Sequence, residues 1–292
     1  MRYDRSVLLR VALALGVSSL ASGCIPDSWT YPSRVDATIT DTLDATERDA
    51  FTLDVDAAEK PSTAICEGPC DVPCARGLTA LYRGEGNARD SAGHQHALAN
   101  RVTYVPGRYG RAFSIDGSPA YVSIPSAVGE LEGEFTIALW IKTDRAARFF
   151  ARRASCWLNP GFRGFDMGVH TDGRFDLEVF SYGALTHFTM QSSVSAYDDQ
   201  WHHAALVRRG ATMSFYIDGQ SAGAHRFDAD FIDPYSTPVY LGVSRCVQGA
   251  PGADGTYDDR QWLRGAVDEV AFYSRALTDA ELGDIAAGRC AP

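Results

Sequence analysis

Phe135-Thr136-Ile137-Ala138-Leu139-Trp140-Ile141 is the stretch from which the fold can be read. Side chains alternate across a strand, so Phe135, Ile137, Leu139 and Ile141 share one face, which we place on a core. Trp140 belongs to the other set and fills a separate sheet face or the concave side. Moving outward, Ala120-Tyr-Val-Ser-Ile124 and Val239-Tyr-Leu-Gly-Val243 have the same texture, and Val267, Val270 and Phe272 anchor a last strand. From about Arg76 onward such runs are punctuated by Gly, Asp and Pro. Asp172-Gly173 joins Phe165–His170 to Arg174–Phe180, and Asp218-Gly219 joins Met213–Ile217 to Ser221–Phe227, both as tight hairpins. Near the end, Thr278-Asp-Ala-Glu281 is a capping box, Leu282, Ile285 and Ala286 give an apolar helix face, and Gly288 stops it. The expectation over residues 76–292 is all-β: a two-sheet sandwich with one short C-terminal helix.

The rest of the chain differs. Of 292 residues, 45% are hydrophobic and 22% charged, which excludes a wholly disordered chain, a coiled coil and a polytopic membrane protein. The net charge of −10 argues against nucleic-acid binding, which needs clustered positive charge. Residues 1–23 read as a secretory signal, with Arg2, Arg5 and Arg10 around a short apolar run and small residues after it. Residues 24–75 read as an acidic Thr/Asp/Ala-rich linker. Within it, nine acids stand against Arg34, Arg48 and Lys60 between positions 25 and 65, favouring an extended, solvated spacer.

Leu20-Ala-Ser-Gly-Cys24 resembles the lipobox of bacterial lipoproteins, departing from it at Ala21, where Leu is usual. The resemblance implies a lipid on Cys24; ordinary signal cleavage is the other reading. Ile25, by analogy with lipoproteins that use Asp there for inner-membrane retention, implies the outer membrane. Six cysteines then remain outside the cytoplasm, Cys66, Cys70, Cys74, Cys156, Cys246 and Cys290, which reads as three disulfides. Connectivity is open from spacing alone. We expect Cys156 to pair with Cys246, and Cys290 with one of Cys66, Cys70 or Cys74.

Five blocks between about 78 and 287 resemble, in order, the LamG-like jelly-roll domains of the concanavalin A-like superfamily. They are Ala80-Leu-Tyr82 through Asp90-Ser-Ala-Gly93, Gly107 to Gly117 with Ala120 to Pro125, Phe135 to Lys142, Trp201-His-His203 to Arg208 with Phe215 to Gly219, and Gly265-Ala-Val-Asp-Glu269 to Leu277. Gly84 departs from the family, which carries an aromatic there. The resemblance implies a jelly roll. It also supports a structural Ca²⁺ on Asp268, because related jelly rolls place a calcium-binding Asp in the last strand. With neighbouring first and last strands, Asp90 and a Gly117 carbonyl complete the expected set, calcium taking six to eight oxygens. The competing reading has Asp90 capping a turn and Asp268 paired with Arg264 or Arg275.

A ligand rim is the second candidate. Sugar sites combine an aromatic platform with fixed polar groups, and Trp157, Phe162, Phe165 and Tyr182, with Arg163, His187 and Arg245, lie on or beside loops. Other motifs carry less. Gly219-Gln-Ser221-Ala-Gly223 fits the nucleophile-elbow pattern but sits in a hairpin rather than a strand-to-helix turn. His202 and His203 point to opposite faces of a strand and cannot easily share a metal. Laminarinase-type enzymes on this fold use Glu-x-Asp-x-x-Glu; the nearest segment, Arg174-Phe-Asp176-Leu-Glu178, has Arg in the first position. Glu130, Glu132 and Glu134 lie beside glycines and read as a solvated loop. The expected function is non-catalytic recognition of a glycan or an extracellular or envelope protein, tethered to the bacterial cell envelope by lipid alone. The alternatives are a carbohydrate-active enzyme and a purely structural envelope protein.

Overall fold

The structure, a computed structural model, describes residues 76–128, 131, 133–153, 156, 164–181, 186–226, 237–251, 253 and 262–289. Two antiparallel sheets form the domain. The first runs β13 (Gln220–Arg226), β12 (Thr212–Ile217), β11 (His202–Arg209), β6 (Phe135–Thr143), β15 (Arg264–Tyr273), β4 (Arg111–Asp116), β3 (Thr103–Pro106), with β1 (Leu78–Tyr82) also on β15. The second runs β10 (Thr186–Ser195), β9 (Arg174–Ser181), β8 (Gly164–Val169), β7 (Ala147–Arg153), β14 (Val239–Leu241), β5 (Tyr121–Ile124), β2 (Leu98–Asn100). First and last strands are neighbours, with Tyr82 opposite Val270.

Alternation fills the space between the sheets. Ile137, Leu139 and Ile141 of β6 meet Phe165, Met167, Phe175 and Leu177 from the other layer in one buried cluster. Phe150 stacks on Phe165 with centroids 5.8 Å apart and reaches Phe272 of the first sheet at 6.1 Å. The other face of the first sheet is covered by α1 (Asp279–Ala286), whose Leu282 and Ile285 pack on Ala205, Val207 and Tyr216. Ala138 of β6 joins this cluster, while Trp140 on the same face is covered by Tyr109 and His203, so β6 is buried on both faces. The capping box forms as the sequence predicts: the Glu281 amide donates to Thr278 Oγ1 and the Thr278 amide donates to Glu281 Oε2. Strand β14 is shorter than the sequence suggests, because Gly242 at φ 90° turns the chain after Leu241.

Candidate functional site

The second sheet presents its outer face as the candidate site. With Phe165, Met167 and Val169 in the core, Asp166 and Gly168 of β8 point outward; with Phe175, Leu177 and Val179 inside, Asp176 and Glu178 of β9 do the same. A register shift in β7 between Arg148 and Phe150 turns Phe149 and Phe150 both inward. Arg148 and Arg153 are left on the outer face. Arg148 Nη1 donates to Asp176 Oδ2 at 2.6 Å and Nη2 to Glu178 Oε1 at 3.1 Å. Arg153 Nη1 donates to Asp166 Oδ2 at 2.5 Å, which also accepts from Ser244 Oγ at 2.7 Å. All five charged side chains are buried. Burial opposes the Arg148 charge, but Asp176, Glu178 and Asp166 together hold its pKa above the ordinary guanidinium value. Gly168 is required beneath it, since a Cβ there would lie 2.6 Å from Arg148 Nη1 and 2.7 Å from the Ala147 carbonyl.

Toward β5 the face becomes aromatic. Tyr121 and Ser123 of β5 and Tyr240 of β14 point outward, and Ser123 lies opposite Tyr240 across the pair. Tyr121 packs edge-on against Tyr240 at 5.8 Å and tilts toward Trp262 at 6.5 Å. Val243, Val247 and Ala250 support these rings, which remain half-buried. Burial and the nearby Tyr121 push the Tyr240 phenol up, with Arg245 acting in the opposite sense. On β2, opposite Ser123, Leu98 is 75% exposed. The turns after Gly242 cross this face and are fixed three ways: Ser244 on Asp166, Trp262 Nε1 donating to the Gln248 carbonyl at 3.1 Å, and the Cys156–Cys246 disulfide, which spans 90 residues.

The expected calcium residues are not brought together. Asp90 Oδ1 accepts the amides of Leu81, Ala92 and Gly93 at 2.9–3.0 Å, and Oδ2 accepts that of Gln95 at 3.2 Å. Converging N–H donors suit an anion and leave few lone pairs for a cation. Gly117 donates to the Leu263 carbonyl beside Arg264, five positions from Asp268 along the last strand, or roughly 16 Å. Asp268 accepts the amides of Tyr109 at 3.0 Å and Glu269 at 2.9 Å, and Arg275 pairs with Glu281 instead. These residues therefore do not fit a shared Ca²⁺, and among the described residues no cluster of His, Cys, Asp and Glu suits a metal.

Of the expected ligand rim, Phe165 is corrected outright. Its inward position on β8 buries it in the core. Arg245 lies beside Tyr240, as above. His187 sits on β10 opposite Phe180, with its side chain outside the described set. Trp157, Phe162, Arg163 and Tyr182 lie outside the described residues, as do Cys24, Cys66, Cys70, Cys74, Cys290, Glu130 and Glu132. Arg174, at the position of the hydrolase glutamate, is bound to Asp172 at 2.6 Å. His203 packs on Trp140 at 5.4 Å while His202 meets Phe175 at 5.2 Å, on opposite faces as alternation requires. Sequence reasoning missed Tyr121, Tyr240 and Trp262. The first two occupy outward positions of runs already read as strands; what was hidden is that β5 and β14 are neighbours.

The sequence profile described as the concanavalin A-like lectin/glucanases superfamily matches residues 116–283, more than half of the chain. The chain belongs to this superfamily. Among solved members of similar fold is domain 4 of AbnA, a GH43 extracellular arabinanase from Geobacillus stearothermophilus, in complex with arabinotriose. It is 20% identical, with TM-score 0.56 over 72% of this chain and 98% of that one. The binding domain of Paraclostridial mosquitocidal protein 1 is 15% identical, with TM-score 0.56 over 72% of this chain and 52% of its own. The botulinum neurotoxin serotype D ligand-binding domain in complex with N-acetylneuraminic acid is 13% identical, with TM-score 0.53 over 73% of this chain. The chain spans about half the length of these two toxin domains, 52% and 51%. At such identities the likeness is one of fold. No curated protein sequence matches the chain.

Proposed function

We propose that this concanavalin A-like domain is a non-catalytic recognition module of the bacterial cell envelope, held by a lipid on Cys24 and an acidic spacer, and that it binds a glycan or an extracellular protein through the aromatic end of its second sheet. One observation carries this reading. The outer-face carboxylates are sealed and neutralised by Arg148 and Arg153, while the half-buried rings of Tyr121, Tyr240 and Trp262 lie beside them. Glycoside hydrolysis needs two carboxyl groups facing the scissile bond, one to donate a proton and the other to attack or activate water. Asp176 and Glu178 share Arg148 and are buried, so neither can do this. Half-exposed rings flanked by Ser123 and Arg245 offer flat apolar surface plus polar contacts, which is what a sugar ring presents in return.

Related folds that bind arabinotriose and N-acetylneuraminic acid support a glycan among the possible ligands. Among the described residues no helix is long and apolar enough to cross a membrane, which is compatible with attachment by lipid. The test is a glycan array with the purified full chain, with and without Ca²⁺, repeated with Tyr240→Ala and Trp262→Ala. Binding that each variant weakens by about fivefold to tenfold, roughly the worth of one aromatic contact, supports the site. Binding that both variants leave unchanged removes it, and glycan cleavage by the wild type overturns the non-catalytic reading. Mass spectrometry of the membrane-extracted N-terminus tests the lipid on Cys24.

A further inference from the structure

His202 opens β11 at one end of the sandwich and is engaged from both sides. Its Nδ1 is 2.7 Å from Asp218 Oδ2, and its Nε2 is 3.2 Å from each oxygen of Asp198. Carboxylates accept and do not donate, so both ring nitrogens must carry hydrogen to satisfy this arrangement, and only the imidazolium does. The two acids belong to different elements. Asp218 stands at φ 51° in the β12–β13 turn, and its Oδ1 accepts the His203 amide at 2.9 Å. Asp198 belongs to the loop between β10 and β11. That loop also reaches the second sheet: the Ala196 amide donates to the Gly173 carbonyl at 2.8 Å, and Tyr197 Oη donates to the His170 carbonyl at 2.9 Å. His202 thus fastens a loop that bridges the β8–β9 hairpin of one layer to the β12–β13 turn of the other.

We propose that His202 is a proton-operated latch for this end of the domain: protonated, it ties the 196–201 loop to the β12–β13 turn, and neutral, it lets the loop go. The neutral ring has one N–H, and the shorter bond keeps it on Nδ1 facing Asp218. The Nε2 lone pair then faces the Asp198 carboxylate, so the loop is the side released. The other charged groups nearby are accounted for. Asp199 pairs with Lys142 of β6 at 3.5 Å, and on the β8–β9 hairpin Asp172 holds both His170 and Arg174. Strand β9 presents Phe175, and His203 points to the opposite face.

The electrostatics agree in sign. The hydrogen bond to Asp218 raises the His202 pKa above an ordinary histidine, against the opposing effect of burial. Burial lifts Asp198 and Asp218, yet His202 and neighbouring amides bring both below the usual carboxylate range. A raised histidine contributes stability in full below its unfolded value and loses it as pH rises through the folded value. The acids contribute above their unfolded values and lose this as pH falls through the lowered ones. The latch is closed between these limits and opens on the alkaline side.

The test is amide hydrogen exchange of 196–201 in the full chain, corrected for intrinsic rates, at about pH 5.5 and about pH 8.5, either side of an ordinary histidine. A ring titration of His202 by NMR accompanies it. The expected result is a several-fold loss of protection of the loop at the higher pH, over and above any change shared by the β6 amides, which report the stability of the whole domain. Asp198→Asn, an exposed change that offers an amide N–H to the neutral Nε2, is expected to keep the loop protected at both pH values. Asp218→Asn is expected to lower the His202 midpoint. Equal protection of the wild-type loop at both pH values overturns the latch. So does a ring midpoint at or below that of an unfolded histidine, or a pH difference that survives Asp198→Asn.

Discussion

Arg148 and Asp176 meet at 2.6 Å with side chains only 1% exposed each, on a sheet face that in an open jelly roll would be wet. The turns after Gly242 reach the same face through Ser244, which donates to Asp166 at 2.7 Å. Arg148 also pairs with Glu178, so removing the arginine leaves two uncompensated buried carboxylates, at a cost of about 3–5 kcal/mol. Arg148→Met is therefore expected to lower the unfolding free energy read from urea denaturation by that amount. A triple change of Arg148, Asp176 and Glu178 to Met, Leu and Met, which removes the charges together, should cost less than Arg148→Met alone. Equal or larger loss in the triple variant would show that the ion cluster is net stabilising.

The Cys156–Cys246 bond closes a loop of 90 residues. On the chain-entropy account, opening a loop of that size costs about 4.6 kcal/mol. Cys246→Ser, or a reducing agent on the wild type, should shift chemical denaturation by roughly this much. Because Ser244 and Cys246 sit on the strap that seals Asp166, we also expect faster hydrogen exchange in β8 and β7 than in β6 of the reduced protein.

Two carboxyl groups at the bulge of β15 set a pH dependence. Burial pushes Glu269 up to about 8, with Asp268 adding to the effect and Arg83 opposing it, and burial likewise pushes Asp268 up to about 7. Groups whose folded values are raised stabilise fully below their unfolded values, near 4.5 and 3.8, and lose that stabilisation as pH climbs through the folded ones. Stability should fall from about pH 5 to about pH 8, at a slope of about 1.4 kcal/mol per unit for each of the two groups while both are protonated only in the folded state, and then level off. Glu269→Gln should flatten the upper part of that curve. Urea midpoints across the range decide it; a rise in wild-type stability over the same interval would contradict the assignment.

Asp90 gathers four backbone amides, so Asp90→Ala should cost about 3 kcal/mol by stranding them. Since these lone pairs are taken, the melting temperature of the wild type should be the same in excess Ca²⁺ and in EDTA. A Ca²⁺-dependent rise would restore a cation to this end of the domain.

The sequence by itself determined the strands, the hairpins at Asp172-Gly173 and Asp218-Gly219, and the capped helix. Alternation, turn chemistry and capping act over a few residues, so they are written locally. It also determined that His202 and His203 diverge, because a strand has a period of two. Only the tertiary structure decided what the outward residues meet. Arg148, Asp176 and Glu178 read as scattered charges until β7, β8 and β9 align, and Tyr121 and Tyr240, 119 positions apart, become one aromatic surface through the β5–β14 pairing. Asp90 and Asp268 show the same limit from the other side. Both are oxygen-bearing residues on neighbouring elements, and their chemistry depends on whether carbonyls or amides converge on them. Here amides do, because the chain turns tightly at both places, and no local pattern specifies that.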